Sequence, residues 1–410
     1  MLTRRGLIVV TGGVVMAVTG RLLGILELFA VASALVAITA AAYLYVRVAS
    51  YSISATRHLR PARVHAGGSS RVELTVGNSS GRRSPVLTLK DPFDGGRRWA
   101  RFPLAPLAPG ETARAAYRLP TADRGIFRLG PLEVALTDPF GLATRSRPAA
   151  GSTTLTVYPH IDPIAPMPRT TGPDPTGSAT HPNALTLSGE EFYALREYQT
   201  GDDLRRVHWP STARLDEIMI RQDELPWQGR APILVDLRRQ VHSGDTFEVL
   251  LSAAASIANS SWRSGSLVRL VSTAGFDSDF GSGQAHLDLI FEQLAAATPH
   301  SDNADFTAPL ATLRRRSSGG ALAVMTTALT VPGDLQLAGR LRGRYGSVIQ
   351  VIIEPGTADS AAGAAGRAPR ATAIGPMIRA STTLGFAAEW NGSMMTSAGV
   401  RAGTSHGRRG

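Results

Sequence analysis

Cysteine is absent from the 410 residues, which removes disulfides, thiolate nucleophiles, cysteine-based zinc sites and iron–sulfur clusters together. Lysine is nearly absent as well. Lys90 is the single one, so the formal charge of +11 is carried by arginine, and a bias of this kind points to coding preference before function. Clustered arginine would neutralise phosphate and release counterions, but these arginines are scattered. The longest run is Arg314–Arg316, and Arg408–Arg409 end the chain in a Gly/Ser/Ala-rich stretch. Nucleic acid is therefore not the expected partner. Also missing are a nucleophile elbow, a metal-spaced His/Glu cluster, a Gly-rich phosphate loop, heptads and internal repeats. No cofactor and no resident metal are expected.

What is present suffices for a folded, multidomain chain: 43% of residues are apolar and 18% charged, enough to bury a core in two or more domains. After Arg4 and Arg5, Gly6–Gly20 is almost wholly apolar. Arg21 and Glu27 bracket a short break, and Leu28–Val46 runs uncharged for about the length of a bilayer crossing. The first run can extend through Leu22–Leu26 if Arg21 reaches toward the headgroups. A cleaved signal peptide is the competing reading, because Arg4-Arg5 faintly resembles a twin-arginine leader. A second apolar run follows at once without a clean small-x-small cleavage pattern, so a two-pass anchor in the cell membrane over residues 1–53 is favoured. Arginine lies before the first run and after the second (Arg47, Arg57, Arg60, Arg63), and the positive-inside bias then puts both termini in the cytoplasm.

Residues 54–160 alternate apolar and polar positions in short runs, at Arg71–Val76, Val86–Lys90, Thr112–Leu119, Glu133–Leu136 and Thr153–Tyr158. Gly, Pro, Asn and Asp punctuate those runs, and such spacing predicts an antiparallel, all-β sandwich-like domain. It can serve as a spacer or as a binding module. Residues 161–188 are rich in proline and predict an exposed linker.

The densest polar run is Gly189–Arg221, within a segment over 189–225. Glu190–Tyr198 suits a short helix with Phe192, Leu195 and Tyr198 near one face and Arg196 elsewhere. Gly201, Asp202 and Asp203 suit a turn, with Arg205 and Arg206 in reach for carboxylate pairing. His208, Trp209, Ala213 and Arg214 follow, and Glu217–Arg221 alternates as a strand. Three uses of this cluster compete. A hydrolytic site would draw acid and base from Asp202, Asp203 and His208. An anion site would use Arg205, Arg206 and Arg214 with the Ser211 and Thr212 hydroxyls. A salt-bridged clasp would dock the linker on the following sheet with Trp209 as an apolar plug. Structural ion-pair networks imitate functional ones, so the clasp is the expectation.

This run resembles the signature of the bacterial domain-of-unknown-function family 58. There a membrane hairpin, a β-domain, this motif and a von Willebrand factor A-like domain follow in order. Arg124–Pro131 and Asp138–Leu142 look like landmarks of the same family. His208 stands where an acid commonly precedes the tryptophan, and Pro210 stands where a basic residue is usual. The resemblance implies a partner, a MoxR-type AAA+ ATPase, and an association with a transglutaminase-like membrane protein.

From 226 to 391 apolar strands alternate with helical patterns. Strands are expected at Ala231–Leu237, Leu267–Thr273, Ala321–Thr326 and Ser347–Ile353, and helices at Asp245–Arg263 and His286–Ala297. Pro376–Gly385 and Phe386–Trp390 read as a last helix and strand. This is the pattern of an α/β, Rossmann-type unit with a parallel sheet, which the resemblance makes von Willebrand factor A-like. Such a domain would carry an Asp-x-Ser-x-Ser metal motif after the first strand. Here the residues are Asp236, Leu237, Arg238, Arg239 and Gln240. Both serines are gone, the later strand ends in Met325-Thr326-Thr327 without an aspartate, and a guanidinium repels a cation. Arg238 either replaces the ion's charge beside Asp236, as a strand-end interaction site, or is an ordinary solvated charge. Thr357–Arg370 reads as a mobile insertion and residues 392–410 as a disordered basic tail.

The expectation is thus a two-pass membrane protein without catalysis of its own, presenting an interaction platform to the cytoplasm. The alternative is a membrane-bound hydrolase or anion-binding enzyme centred on Asp202, Asp203, His208 and Arg214.

Overall fold

The computed structural model describes residues 1–49, 51–168, 192–198, 207–215, 217–223, 229–300, 306–316, 319–356 and 376–404. The chain forms two compact units, Met1–His160 with Leu294–Ala296, and Ile161–Gln293 with Ala297–Gly410.

The first unit begins with two helices, α1 (Arg4–Leu23) and α2 (Leu26–Val48). Both are long and apolar enough to cross a membrane. Thr3 starts α1 by accepting the Gly6 N–H on its hydroxyl at 3.0 Å, and Gly24, at φ 70°, stops it in the left-handed conformation that glycine adopts without strain. Gly6, Gly13 and Gly20 fall seven residues apart and are the buried positions of α1. A methyl group on Gly13 would meet Ala32 O and Leu35 Cβ at 3.5 Å, and one on Gly20 would meet Ile25 O and Leu28 Cβ at 3.1 Å. The two helices therefore pack along a glycine seam, as membrane helices do where no hydrophobic force draws them together. Leu7, Ile8, Val14, Val15, Val18, Val31 and Leu44 are exposed.

The β-domain is two packed sheets. One is antiparallel, β1 (Ile53–Arg60), β3 (Ser70–Asn78) and β6 (Thr112–Leu119) in the order β1-β3-β6. The other is 7-stranded, built from β2 (Arg63–His65), β10 (Thr153–Tyr158), β7 (Gly125–Leu129), β4 (Leu87–Phe93), β8 (Leu132–Thr137) and β9 (Thr144–Ala150) in that order, with β5 (Arg98–Leu104) paired to β4. Alternation puts Val72, Leu74 and Leu119 of the first sheet against Phe93, Leu129, Leu155 and Val157 of the second. The Gly125–Leu129 landmark is itself a strand, and β1, β2, β5 and β9 add to the runs expected from alternation.

The helices are stitched to this domain at both ends. Leu2 bridges Ala143, the Thr3 N–H donates to Leu142 O at 2.9 Å and the Thr144 N–H to Met1 O at 2.9 Å. Ala42, Val46 and Tyr51 share a core with Leu87, Leu89, Val134, Leu136, Leu142 and Ala143.

The second unit carries a parallel sheet of β13 (Arg230–Val235), β14 (Leu267–Ser272), β15 (Ala321–Thr327), β16 (Ser347–Ile353) and β17 (Met377–Ala380), ordered β14-β13-β15-β16-β17. Helices α4 (Thr246–Arg263), α5 (Gln284–Ala296), α6 (Thr307–Arg316), α7 (Pro332–Gly339) and α8 (Thr383–Thr404) connect and cover it. Residues of α6 and α7, among them Leu310, Leu313 and Ala338, pack on Leu234, Leu322, Val324 and Val348, and α4 packs against α8 and the sheet. The central strands β13, β15 and β16 are buried beyond their first residue, as their unbroken apolar runs require.

Four expectations are corrected in this unit. Phe192–Glu197 is a strand, β11, paired antiparallel with β12 (Met219–Asp223), with α3 (Trp209–Leu215) between them. Ladder hydrogen bonds to β12 override the helical spacing there. The last strand precedes the last helix, because the sheet edge is completed by β17 on β16. Phe386 and Trp390 then lie one turn apart on α8 and both are fully buried. Finally, residues 392–404 belong to α8 and not to a disordered tail. The start of the proline-rich segment is not an exposed linker either: Asp162 and Met167 are buried, and the Trp390 Nε1–H donates to Ala165 O at 2.8 Å. The rest of that segment and Thr357–Arg370 lie outside the described residues.

Candidate functional site

The carboxyl end of β13 is where the chain turns first to one side of the sheet and then to the other, the position at which open α/β sheets bind ligands. Asp236 follows β13 there with no exposed surface. Its N–H donates to Met325 O at 3.1 Å, which holds the loop against β15. Arg238 folds back on it. The Nε–H donates to Asp236 Oδ1 at 2.9 Å and an Nη2–H to Oδ2 at 2.7 Å, a bidentate fork. The same Nη2 donates to Asp334 of α7 at 2.8 Å, and the guanidinium lies 5.1 Å from the centre of the Phe306 ring.

One guanidinium thus serves two carboxylates. Burial works against its charge, and the hydrogen bonds to Asp236 and Asp334 outweigh that, so the Arg238 pKa is raised above its usual value. The Thr273 hydroxyl accepts the Leu237 N–H at 2.9 Å and lies 3.4 Å from Asp236 Oδ1, with His300 Nε2 at 3.3 Å on its far side. Across the loop, His242 Nε2 sits 2.8 Å from Asp236 O, and the Thr327 hydroxyl donates to Val241 O. Burial, the largest influence, lowers the His242 pKa; the Arg238 charge adds to that, and Asp236 opposes both.

A divalent cation here would need several free oxygens, and both oxygens of Asp236 are engaged by Arg238. Among the described residues no three His, Asp or Glu side chains come close enough to hold a metal ion. Beside this closed pair the loop from β15 to α7 turns two large apolar side chains to solvent, Leu329 at 53% and Val331 at 59% exposure.

Sequence reasoning named Asp236 and Arg238 and missed Thr273, His300, Asp334 and Phe306. Thr273 stands one residue past β14, so the rule that ligands gather at strand ends could have found it. Asp334 comes from α7 and Phe306 from the turn just ahead of α6, both far along the chain, and neither carries a local signal.

The signature segment is described in part. Glu190, Gly201, Asp202, Asp203, Arg205 and Arg206 lie outside the described residues. Arg196 is in β11 opposite Ile220, and the Tyr198 N–H donates to Ile218 O at 2.8 Å. His208 opens α3: its backbone N–H donates to Met219 O at 2.8 Å and its Nδ1 lies 2.8 Å from the Ser211 hydroxyl. The Thr212 hydroxyl accepts the Met219 N–H at 3.0 Å. Ala213 and Arg214 are exposed. Trp209 is not an apolar plug, because it is 70% exposed. The first turn of α3 turns it outward, whereas Val207, just ahead of that helix, is buried.

Residues 194–358 match the family described as protein of unknown function DUF58. The DUF58 match runs from β11 to just past β16, and so takes in Arg196, helix α3 and the Asp236–Arg238 pair. No curated protein matches the chain. Among solved structures, the CARDB domain of a Pyrococcus furiosus protein is 14% identical over 26% of this chain and 91% of its own, with a TM-score of 0.20. The alkylpurine DNA glycosylase AlkC of Pseudomonas fluorescens is 16% identical over 29% and 34%, with a TM-score of 0.21. The putative ApaA protein of Bordetella pertussis is 16% identical over 26% and 94%, with a TM-score of 0.19. Likenesses this weak bear on neither fold nor function.

Proposed function

We propose that this protein is a membrane-anchored interaction platform without catalysis of its own. In this reading α1 and α2 cross the cell membrane with both ends in the cytoplasm, and the strand-end face of a von Willebrand factor A-like second unit meets a protein partner. The observation that carries it is the pairing of Asp236 with Arg238 beside exposed Leu329 and Val331. An internally neutralised pair offers neither an open metal position nor a free base, whereas exposed apolar side chains beside it suit a protein contact. The family resemblance suggests which partner: a MoxR-type AAA+ ATPase, in an assembly or chaperone system that includes a transglutaminase-like membrane protein. The alternative, an enzyme centred on Asp202, Asp203, His208 and Arg214, rests in part on Asp202 and Asp203, which lie outside the described residues; of its described members, His208 Nδ1 lies 2.8 Å from the Ser211 hydroxyl.

The test is affinity purification of the tagged, detergent-extracted chain from its native membrane, with and without ATP, followed by mass spectrometry. An AAA+ ATPase recovered with the wild type and lost with Leu329→Ser/Val331→Ser, at unchanged melting temperature, is the expected result. Recovery of the chain alone would sink the platform.

A further inference from the structure

Four arginines line one open cleft in the first unit. Arg47 stands in the last turn of α2, Arg145 and Arg147 lie two apart on β9, and Arg82 comes from the loop between β3 and β4. With Tyr51 and Ser80 they line a cavity of about 620 Å³ whose lining includes no acidic residue. Among the described residues none of the four has a carboxylate partner.

The cavity is ordered by its own chemistry. Arg145 Nη1 donates to Arg47 O at 3.1 Å, which ties the end of α2 to β9. The Arg147 guanidinium lies 5.6 Å from the centre of the Tyr51 ring, and Tyr51 is 7% exposed, so the ring is a fixed wall. Arg47, Arg82 and Arg147 are exposed and Arg145 is half-buried, so water and salt screen their charges from one another, while no carboxylate in the lining competes for an incoming anion. A guanidinium presents a planar fork that matches phosphate oxygens, and the volume is that of a small-molecule site. Its place is as informative as its charge: α2 is 23 residues long and Arg47 closes it, so a spanning α2 holds the cavity at the depth of lipid headgroups.

We infer that the Arg47–Arg82–Arg145–Arg147 cavity binds a phosphate-bearing anion, with a membrane lipid headgroup as the source its depth favours. The inference rests on the proposed membrane crossing of α1 and α2 but on no protein partner, so it can fail while the platform reading stands, and the reverse.

The experiment reconstitutes the full chain in nanodiscs containing phosphatidylglycerol and phosphatidylcholine and counts retained lipids by native mass spectrometry. Titration of inorganic phosphate into purely phosphatidylcholine discs forms a second arm. The wild type is expected to retain phosphatidylglycerol over phosphatidylcholine by about tenfold or more. Arg145→Gln/Arg147→Gln and, separately, Arg82→Gln are expected to reduce that preference, while Arg98→Gln/Arg101→Gln on the remote strand β5 leaves it unchanged. Saturable binding of inorganic phosphate, lost in the same variants and without a lipid preference, would keep the anion site and assign it to a soluble source. Absence of both bindings in the wild type, or their persistence in the cavity variants, would overturn the proposal. Melting temperatures of the same samples separate loss of the site from loss of the fold.

Discussion

Arg238 grips both oxygens of Asp236, at 2.9 and 2.7 Å, in a pair whose side chains are 8% and 0% exposed. Breaking it from one side strands a buried charge. Arg238→Ala is expected to cost about 3–5 kcal/mol, read as a drop in melting temperature, whereas Arg238→Ala combined with Asp236→Ala should recover part of that loss. A single variant within experimental error of the wild type would show that the pair carries no structural weight.

The same pair predicts indifference to divalent metal. A ligand that binds only the folded state raises stability in proportion to the logarithm of its concentration over Kd. Because the Asp236 oxygens are occupied, millimolar magnesium is expected to leave the melting temperature unchanged. A concentration-dependent rise would mean that Arg238 swings away and yields the site.

His242 gives the second unit an acid sensitivity of definite sign. Its folded pKa is below the usual 6.5, chiefly through burial, and its Nδ1 is buried without a hydrogen-bond partner among the described residues. The fold therefore holds the neutral ring, while the unfolded chain takes up a proton readily. That stability is complete above pH 6.5 and is lost as the pH falls from there through the lowered folded value. His242→Gln, which keeps a donor for Asp236 O, is expected to flatten the decline in melting temperature below pH 6.5. An unaltered slope would exclude His242 as its source.

Two glycines of α1 should respond in opposite ways to the same substitution. A methyl group on Gly6 would fall on the carbonyl oxygen of Leu142, whereas one on Gly12 meets nothing within 4 Å. Gly6→Ala is expected to destabilise by about 1–3 kcal/mol through overpacking of fixed backbone, and Gly12→Ala to be neutral or stabilising by up to about 1 kcal/mol. Thermal melts of the detergent-solubilised chain decide it; equal effects would mean that the α1 start is not docked as described.

Legibility in the sequence followed the range of the interaction that decides each element. β13, β15 and β16 could be read because a strand buried on both faces is an unbroken apolar run, and α1 and α2 because a bilayer imposes length. β5 and β9 escaped notice because their sequences, RWARFPL and TRSRPAA, carry arginine on faces that only pairing with β4 and β8 makes extended. Phe192–Glu197 has helical spacing, and its strand form exists because β12 returns beside it. The Asp236–Arg238 pair was visible because only Leu237 separates its members in sequence, whereas Asp334, 96 positions from Arg238, is brought in by the sheet alone.

Phe386–Trp390 shows the cost of a short apolar run, which spacing cannot divide between strand and buried helix. In α8 both rings are fully buried, 5.6 Å apart, and Trp390 Nε1 reaches back to Ala165 O at 2.8 Å. The helix is therefore a wall of the second unit and the anchor of the segment leading into it. Trp390→Ala is expected to cost about 3–5 kcal/mol, and Trp390→Phe about 1 kcal/mol for the lost hydrogen bond. Truncation after Gly385 should abolish cooperative unfolding, whereas truncation after Thr404 should leave it intact. A chain that melted normally without residues 386–410 would return α8 to the status of a tail and detach Ala165 from the core.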